Sequence, residues 1–387
     1  MDEHLQELER HFRAYAPYYR KIGLKIERDP GYVEQCAESE PLLVVQHMSI
    51  PERYCSGRAI KTKTGRKLCG LSNLERVIAI EQLAYGDAGV FLTAPGPSLS
   101  GVVLNELGSE EQKESFFSRF NDRPMWTFFA LTEPERGSDA TMIRTRLKAA
   151  DEDKRFYSLS GEKYFIGNVL RASCGVVFAR VAEGALGIEA VLVEKNDPVR
   201  FRAQPLETFG LRALQVSHLV FDGMPIPESQ LLGQHLSKGQ RGILAAVKMF
   251  NQRRTGVAAC ALGVVKAVMD LVSDERKTFN EKDKETISRL EYRLNSTRQV
   301  IRKAAEIADQ DPQNGYYASL SKVMAVSLVE DVTTFAVQML GPSAFLENPF
   351  LNKCYRDARG FEYLEGTSNM QKLNIFQHYM TGKVALA

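Results

Sequence analysis

The chain lacks the residue spacings that mark common metal and nucleotide chemistries. Its six cysteines (Cys36, Cys55, Cys69, Cys174, Cys260, Cys354) show no CxxC spacing. Zinc ligation and a disulfide framework are therefore not expected, and a reducing compartment fits. Six scattered histidines form no HExxH, so no metal site is expected. Neither GxGxxG nor GxxxxGK(S/T) occurs, which disfavours nicotinamide-binding and nucleotide-phosphate folds. A net charge of +2 gives no global field toward nucleic acid or membranes. No run of about 18 apolar residues stands out, so membrane insertion is not expected. The N-terminus is acidic, then amphipathic. It lacks the apolar core of a signal peptide and the acid-poor composition of a transit peptide, so a cytoplasmic location is expected.

What is present is an ordinary globular composition, 44% hydrophobic and 25% charged, in 387 residues, enough for two or three domains. Residues 1–125 read as helical: Leu5, Leu8, Phe12 and Tyr15 recur at helical intervals, as do Leu74, Val77, Ile78 and Leu83. Ser109 followed by two glutamates reads as a capped helix start. From Trp126 the period changes. Thr127–Leu131, Phe156–Leu159, Lys163–Ile166, Cys174–Arg180, Ile188–Val193 and Val216–Phe221 read as short strands, separated by turns at Ser160-Gly161, Asp197-Pro198 and Asp222-Gly223. Residues 126–235 thus predict a small β-barrel or sandwich. Residues 236–387 return to long helices and predict a C-terminal bundle. Leu320–Leu340 is apolar nearly all round and belongs in a bundle core or a subunit interface. The order helix, strand, helix without βαβ alternation argues against a Rossmann sheet.

Four segments have the make-up of a site. Ala130 to Asp139 offers backbone N–H groups, the Thr132 hydroxyl and a Gly137-Ser138 turn that could cradle a phosphate or a flat heterocycle; a capped turn explains it as well. Gly161 to Asn168 alternates aromatic and small residues, suiting either a ring system or core packing. Phe250-Asn251-Gln252-Arg253-Arg254 reads as the opening of a long helix. Arginine there opposes the helix dipole and calls for an anionic or carbonyl partner, a surface salt bridge being the plainer alternative. The last segment runs from Gln338–Pro342 through a charged turn at Tyr355–Arg359 to Tyr363-Leu364-Glu365-Gly366-Thr367-Ser368-Asn369. Apolar neighbours raise a carboxylate's pKa and suit Glu365 to general-base work, while Gly366 permits close approach of a ligand. The plainer alternative is a surface glutamate at a helix start capped by Thr367. A basic insert (Arg58, Lys61, Lys63, Arg66, Lys67) is a solvated loop or a docking patch for an acidic partner or coenzyme phosphates.

In order, these segments resemble the acyl-CoA dehydrogenase family of flavoproteins. The TEPxxGSD turn of that family stands as Thr132 to Asp139, its lysine-led strand as Lys163 to Asn168, and its RDA(R/K)…YEGT ending as Arg356 to Arg359 with Leu364 to Thr367. Gly210-Leu211-Arg212, Val220-Phe221-Asp222, Pro227 and Leu231-Leu232-Gly233 match further pieces. The resemblance implies FAD as cofactor and an acyl thioester as substrate. Glu365 would remove the α-proton while the β-hydride passes to flavin N5, and the Glu365 N–H would polarise the thioester oxygen with a ribityl hydroxyl. Arg254, Asn251, Ser138 and Gly366 would hold substrate. Phe129, Leu131, Thr132, Gly137, Ser138, Phe165, Ile166 and Gly167 would flank the flavin. Arg276, Thr278, Phe279, Gln338, Gly341, Thr367 and Asn369 would hold its phosphates and adenine, some across a subunit interface in a homodimer or homotetramer. Departures are Phe165 for tryptophan, Gly167 for threonine, Asn280 for glycine after Phe279, and Leu364 for tyrosine. Thr286 or Ile287 stands where a glutamine is usual. Asn251, Gln252 and Arg253 supply no carboxylate where some relatives place the base. Electrons would leave to an electron-transferring flavoprotein or to oxygen. The alternatives are the same chemistry on an acyl or peptidyl carrier protein, a flavin oxidase or monooxygenase on this scaffold, and a non-catalytic binding protein.

Overall fold

The computed structural model describes residues 2–56, 60–150 and 155–381; Arg58 of the basic insert lies outside them. The N-terminal part holds α1 (Glu3–Arg13), α2 (Ala16–Arg28), α3 (Tyr32–Gln35), α4 (Glu40–His47), α5 (Asn73–Thr93), α6 (Ser98–Leu107) and α7 (Glu110–Phe117). Leu8 and Phe12 bury the apolar face of α1, as their spacing predicts. The expected helix over the first twenty residues is in fact two, broken between Arg13 and Ala16. Capping boxes start α5 (Ser72 with Glu75) and α7 (Ser109 with Gln112).

The middle strands are β1 (Thr127–Ala130), β2 (Arg146–Ala149), β3 (Phe156–Ile166), β4 (Cys174–Arg180), β5 (Ile188–Glu194), β6 (Phe201–Pro205) and β7 (Ser217–Pro227). They form one sheet in the order β1-β4-β2-β3-β7-β6, with β5 paired to β4. Two expected turns are absent. Ser160-Gly161 is a bulge inside β3, and Asp222-Gly223 lies inside β7. Gly161 takes φ +140° and approaches Thr145 so closely that a Cβ would lie 2.6 Å from its Cα, so this glycine serves strand contact. Strands β2 (RLKA) and β6 (FRAQP) escape the pattern because each buries one large apolar side chain, Leu147 or Phe201, and is otherwise polar or small.

The C-terminal part holds α8 (Ile243–Glu275), α9 (Glu281–Gln310), α10 (Tyr316–Leu340), α11 (Ala344–Glu347), α12 (Pro349–Gly360) and α13 (Ser368–Met380). Helix α8 packs on α5, α9 and α10. Gly263 permits the α5 contact, since a Cβ there would lie 2.4 Å from the Glu81 carbonyl oxygen. Contrary to expectation, α8 and α10 are long and apolar enough, by composition, to cross a membrane. In α8, 72% of the apolar window is buried within the protein, as a core helix requires.

Three local expectations are corrected. Helix α8 begins at Ile243, so Arg253 and Arg254 lie ten residues or more inside it, beyond reach of the terminal dipole. Tyr355–Arg359 is helix, not turn: Asn348 caps α12, and Phe350, Cys354 and Ala358 form its buried face. Cys55 and Cys69 are joined as a disulfide with Cα atoms 6.4 Å apart. The Lys61–Lys67 bridge folds the insert back so that its ends meet, a contact that spacing rules do not register.

One buried ion cluster ties the three parts together. Asp87 interrupts α5 with extended backbone, and its carboxylate accepts Lys353 Nζ at 2.9 Å and Val90 N at 3.0 Å. Lys353 also donates to Asp357 at 2.6 Å, and Asp357 accepts the Leu211 N–H from the β-domain at 2.6 Å. Burial disfavours the Lys353 charge, yet Asp357 and Asp87 hold its pKa above the usual lysine range. Removing one member strands buried charge, so Lys353→Met is expected to cost about 3–5 kcal/mol in urea unfolding. A loss under about 1 kcal/mol would show that the cluster does not hold the domains together.

Candidate active site

Glu365 lies in the short connection between α12 and α13. Its backbone is left-handed (φ 55°), as is that of Gly366 (φ 96°). A non-glycine residue held there carries strain that the surroundings must balance. They do so by gripping carbonyl oxygens. The Glu365 carbonyl accepts Arg254 Nε at 3.2 Å and Gln371 Nε2 at 3.4 Å. Gln371 is held in turn by Ser319 Oγ at 2.9 Å. Lys322, fully buried in α10, donates to the Gly366 carbonyl and, at 3.0 Å, to that of Glu362. Thr367 accepts Met370 N at 3.4 Å and caps α13, so the plainer expectation for Thr367 also holds.

These bonds leave the carboxylate free. Glu365 Oε2 is buried and has no hydrogen-bond partner among the described residues. Burial pushes its pKa up to about 7, against the pull of Arg254, Lys322 and Arg253. The Glu365 N–H likewise donates to no described residue.

Arg254 is oriented by Asn251 Oδ1 at 2.8 Å. Gly315 allows that arrangement, because a Cβ there would lie 2.5 Å from the same oxygen. One turn earlier, Phe250 meets Phe129 of β1 edge-on at 5.7 Å. Phe129, Asn251, Arg254, Glu365 and Gly366 therefore converge where sheet and bundle meet.

The turn after β1 is fastened to β3. Lys163, with no exposed surface, donates to Glu133 Oε1 at 2.8 Å and to the Leu131 carbonyl at 3.0 Å. Glu133 also accepts Thr145 N at 2.9 Å, and the Thr132 carbonyl accepts Tyr164 N at 2.8 Å. A second bulge in β3 follows Lys163, and Phe165 takes φ 61° with its ring 65% exposed. A bulge beside a site re-aims a side chain in this way. Ile166 points into the core, and Gly167 abuts Leu214. Gly137 and Ser138 are exposed, and Arg136 Nε is buried without a partner among the described residues.

Arg276, Thr278, Phe279, Gln338 and Gly341 form a separate cluster. Arg276 donates to the Met339 carbonyl at 3.1 Å and pairs with Asp283 at 3.3 Å. This cluster lies at the far end of α8, roughly 33 Å from Arg254 at 1.5 Å per residue. Within one chain it does not join Glu365. Asn369 is exposed in the first turn of α13. Lys322, Gln371 and the Lys163–Glu133 pair have no role marked by any motif. A lysine inside the apolar run of α10 was the available signal for the first.

The acyl-CoA dehydrogenase middle-domain family model matches residues 128–224, and the acyl-CoA dehydrogenase C-terminal-domain model matches residues 240–380. A 3-(aryl)acrylate reductase of Clostridium sporogenes is 30% identical over 320 residues, 79% of this chain and 82% of the relative. A short-chain specific acyl-CoA dehydrogenase of Clostridium acetobutylicum is 31% identical over 315 residues, 78% of this chain and 81% of the relative. Among solved structures, a glutaryl-CoA dehydrogenase from Mycobacterium smegmatis in complex with FADH2 matches with TM-score 0.83 and 23% identity, over 100% of this chain and 97% of that one. The prolyl acyl carrier protein oxidase AnaB matches with TM-score 0.83 and 19% identity, over 98% of this chain and 99% of that one.

The free carboxylate has a stability signature. A carboxyl held above its ordinary value favours the protonated fold, so stability is lost as pH rises from the usual glutamate range through about 7. Glu365→Gln is therefore expected to be more stable than the wild type in urea unfolding at pH 8, with the difference shrinking toward pH 5. An equal difference at both pH values would contradict the raised pKa.

Proposed function

Because this chain belongs to the acyl-CoA dehydrogenase family of oxidoreductases, we propose that it dehydrogenates an acyl thioester between the α and β carbons, with FAD as cofactor and Glu365 as base. The observation that supports this most is the buried, unpartnered Glu365 Oε2. A base must reach a carbon-bound proton, and a carboxylate already spent on an ion pair could not. Its pKa of about 7 suits proton abstraction near neutrality.

The residues present fit the flavin. Phe165 offers an exposed ring beside the Leu131–Thr132 turn, and Arg136 Nε is a buried donor, near Gly137 and Ser138, without a partner among the described residues. We assign the flavin wall to Phe129, Leu131, Thr132 and Phe165, with Ile166 and Gly167 contributing backbone only, since the Ile166 side chain is buried in the core. FAD, when bound, supplies the two-electron acceptor for the hydride that leaves the β-carbon. The Glu365 N–H would donate to the thioester oxygen, stabilising charge that develops as the α-proton moves to Oε2. Arg254 fixes the loop that carries both groups. Ser138 and Asn251 border the substrate.

The distance between Arg254 and the Arg276–Gly341 cluster favours a multimer in which that cluster serves a neighbouring subunit's cofactor, as a homodimer or homotetramer. The exposed face of α10 is consistent with such an assembly. Electrons would leave to an electron-transferring flavoprotein or to oxygen. For the carrier of the acyl group, Lys61, Lys63 and Lys67 are exposed without carboxylate partners among the described residues, whereas Arg66 pairs with Glu75. These free cations favour a second reading, in which an acidic acyl or peptidyl carrier protein presents the substrate.

Anaerobic addition of acyl-CoAs and of acyl-carrier proteins to the flavin-loaded protein tests both readings. Wild type is expected to bleach with one class of thioester, and Glu365→Gln, at equal flavin content, to do so about 10²–10⁴-fold more slowly. Bleaching of the variant at the wild-type rate would exclude Glu365 as the base, and bleaching by neither class would exclude dehydrogenation.

A further inference from the structure

Arg253 is the neighbour of Arg254 in α8, yet it is bound quite differently. Arg254 is committed to Asn251 Oδ1 and the Glu365 carbonyl. Arg253 makes no hydrogen bond or ion pair with any described residue, and its Nε is buried. A guanidinium nitrogen buried without a partner costs free energy, and Arg253 as a whole is only partly exposed, so the residue is placed to take a ligand.

The surroundings do not provide that ligand. Glu365, Asp309 and Glu106 lie within electrostatic reach of Arg253. Asp309 is spent on the start of α5, accepting Asn73 N at 2.8 Å and Leu74 N at 3.2 Å. Glu106 is spent on Lys248 at 2.5 Å. Glu365 must stay free to act as base. Across the α5–α8 contact stands a second guanidinium, Arg76, which repels Arg253 and is bonded to neutral acceptors, the Met48 carbonyl at 2.9 Å and Ser49 Oγ at 3.1 Å. Burial holds the pKa of Arg253 down to about 10, which leaves it charged at neutral pH. The space next to the base thus holds Arg253, Arg254 and Lys322 with one unspent carboxylate, and Arg76 lies behind Arg253.

Taking the acyl-thioester reading of this site as given, we infer that Arg253 is a specificity residue that receives an anionic group on the acyl chain, so that the substrate is a thioester bearing a free carboxylate. A guanidinium presents two parallel N–H donors that match a carboxylate, and a methyl end would leave them desolvated and unpaired. The phosphates of the coenzyme share this anionic chemistry and are separated by the test.

The test measures binding in the Glu365→Gln background, where turnover does not interfere. Succinyl, glutaryl and adipyl thioesters are compared with butyryl, pentanoyl and hexanoyl thioesters, each carried on coenzyme A and on phosphate-free pantetheine. With Arg253 present, a carboxylate-ended thioester is expected to bind on the order of 10- to 100-fold more tightly than its methyl-ended counterpart on both carriers. The ratio should collapse toward one in Arg253→Met and partly recover in Arg253→Lys, which also controls for misfolding. No preference at any length, or a ratio that survives in Arg253→Met, overturns the inference. So does a loss that follows the coenzyme phosphates instead of the acyl end. Discrimination in binding without wild-type bleaching would uphold Arg253 and sink the dehydrogenase reading; bleaching without discrimination would do the reverse.

Discussion

The structure depends on keeping one carboxylate unpartnered. Glu365 is surrounded by cations, and in an ordinary interior they would pair with it and hold it ionised. Here Arg254 and Lys322 are turned toward carbonyl oxygens of the same loop. Their hydrogen bonds fix the backbone in a left-handed turn, while their charge reaches the carboxylate only through space. The loop backbone is held by hydrogen bonds, and Glu365 Oε2 is left without one among the described residues.

That geometry is supported from a distance. Helix α12 leads directly into the loop and is held by Lys353 against Asp87 of the kinked α5. Arg359 fastens it to Thr333 and Thr334 of α10 at 2.9 and 3.1 Å. Asp357 joins it to the β-domain through the Leu211 N–H. The β-domain brings its own wall, because Lys163 and Glu133 pin the turn after β1 and the bulge in β3 turns Phe165 outward. Helical and sheet parts therefore meet at the site as fastened bodies.

Much of this was legible in the sequence, and the boundary of legibility has physical causes. Motifs in order pointed to the family and singled out Glu365, Arg254, the Thr132–Asp139 turn and the Lys163–Asn168 strand as candidates, since each carries its local geometry in a few adjacent residues. Helical and strand periods located the three parts. Long-range pairing was not legible. The Cys55–Cys69 bond, the Lys353 cluster and the Lys322 clamp each join residues whose proximity only the fold creates. The start of α8 was misplaced because Ile243–Met249 carries no N-cap signal, and with it went the dipole argument for Arg253 and Arg254. The need for a partner nevertheless survives: Arg254 found carbonyl and amide oxygens, and Arg253 found none among the described residues.

The central claim is that Glu365 takes a proton from carbon because burial keeps it near neutrality without a partner. It is tested most directly by the pH dependence of α-proton exchange into D2O for a bound thioester, followed by NMR without net oxidation. The exchange rate is expected to rise with pH and level off, with an apparent pKa near 7. A rate unchanged from pH 5 to 9, or one that rises only with hydroxide, would mean that another group moves the proton.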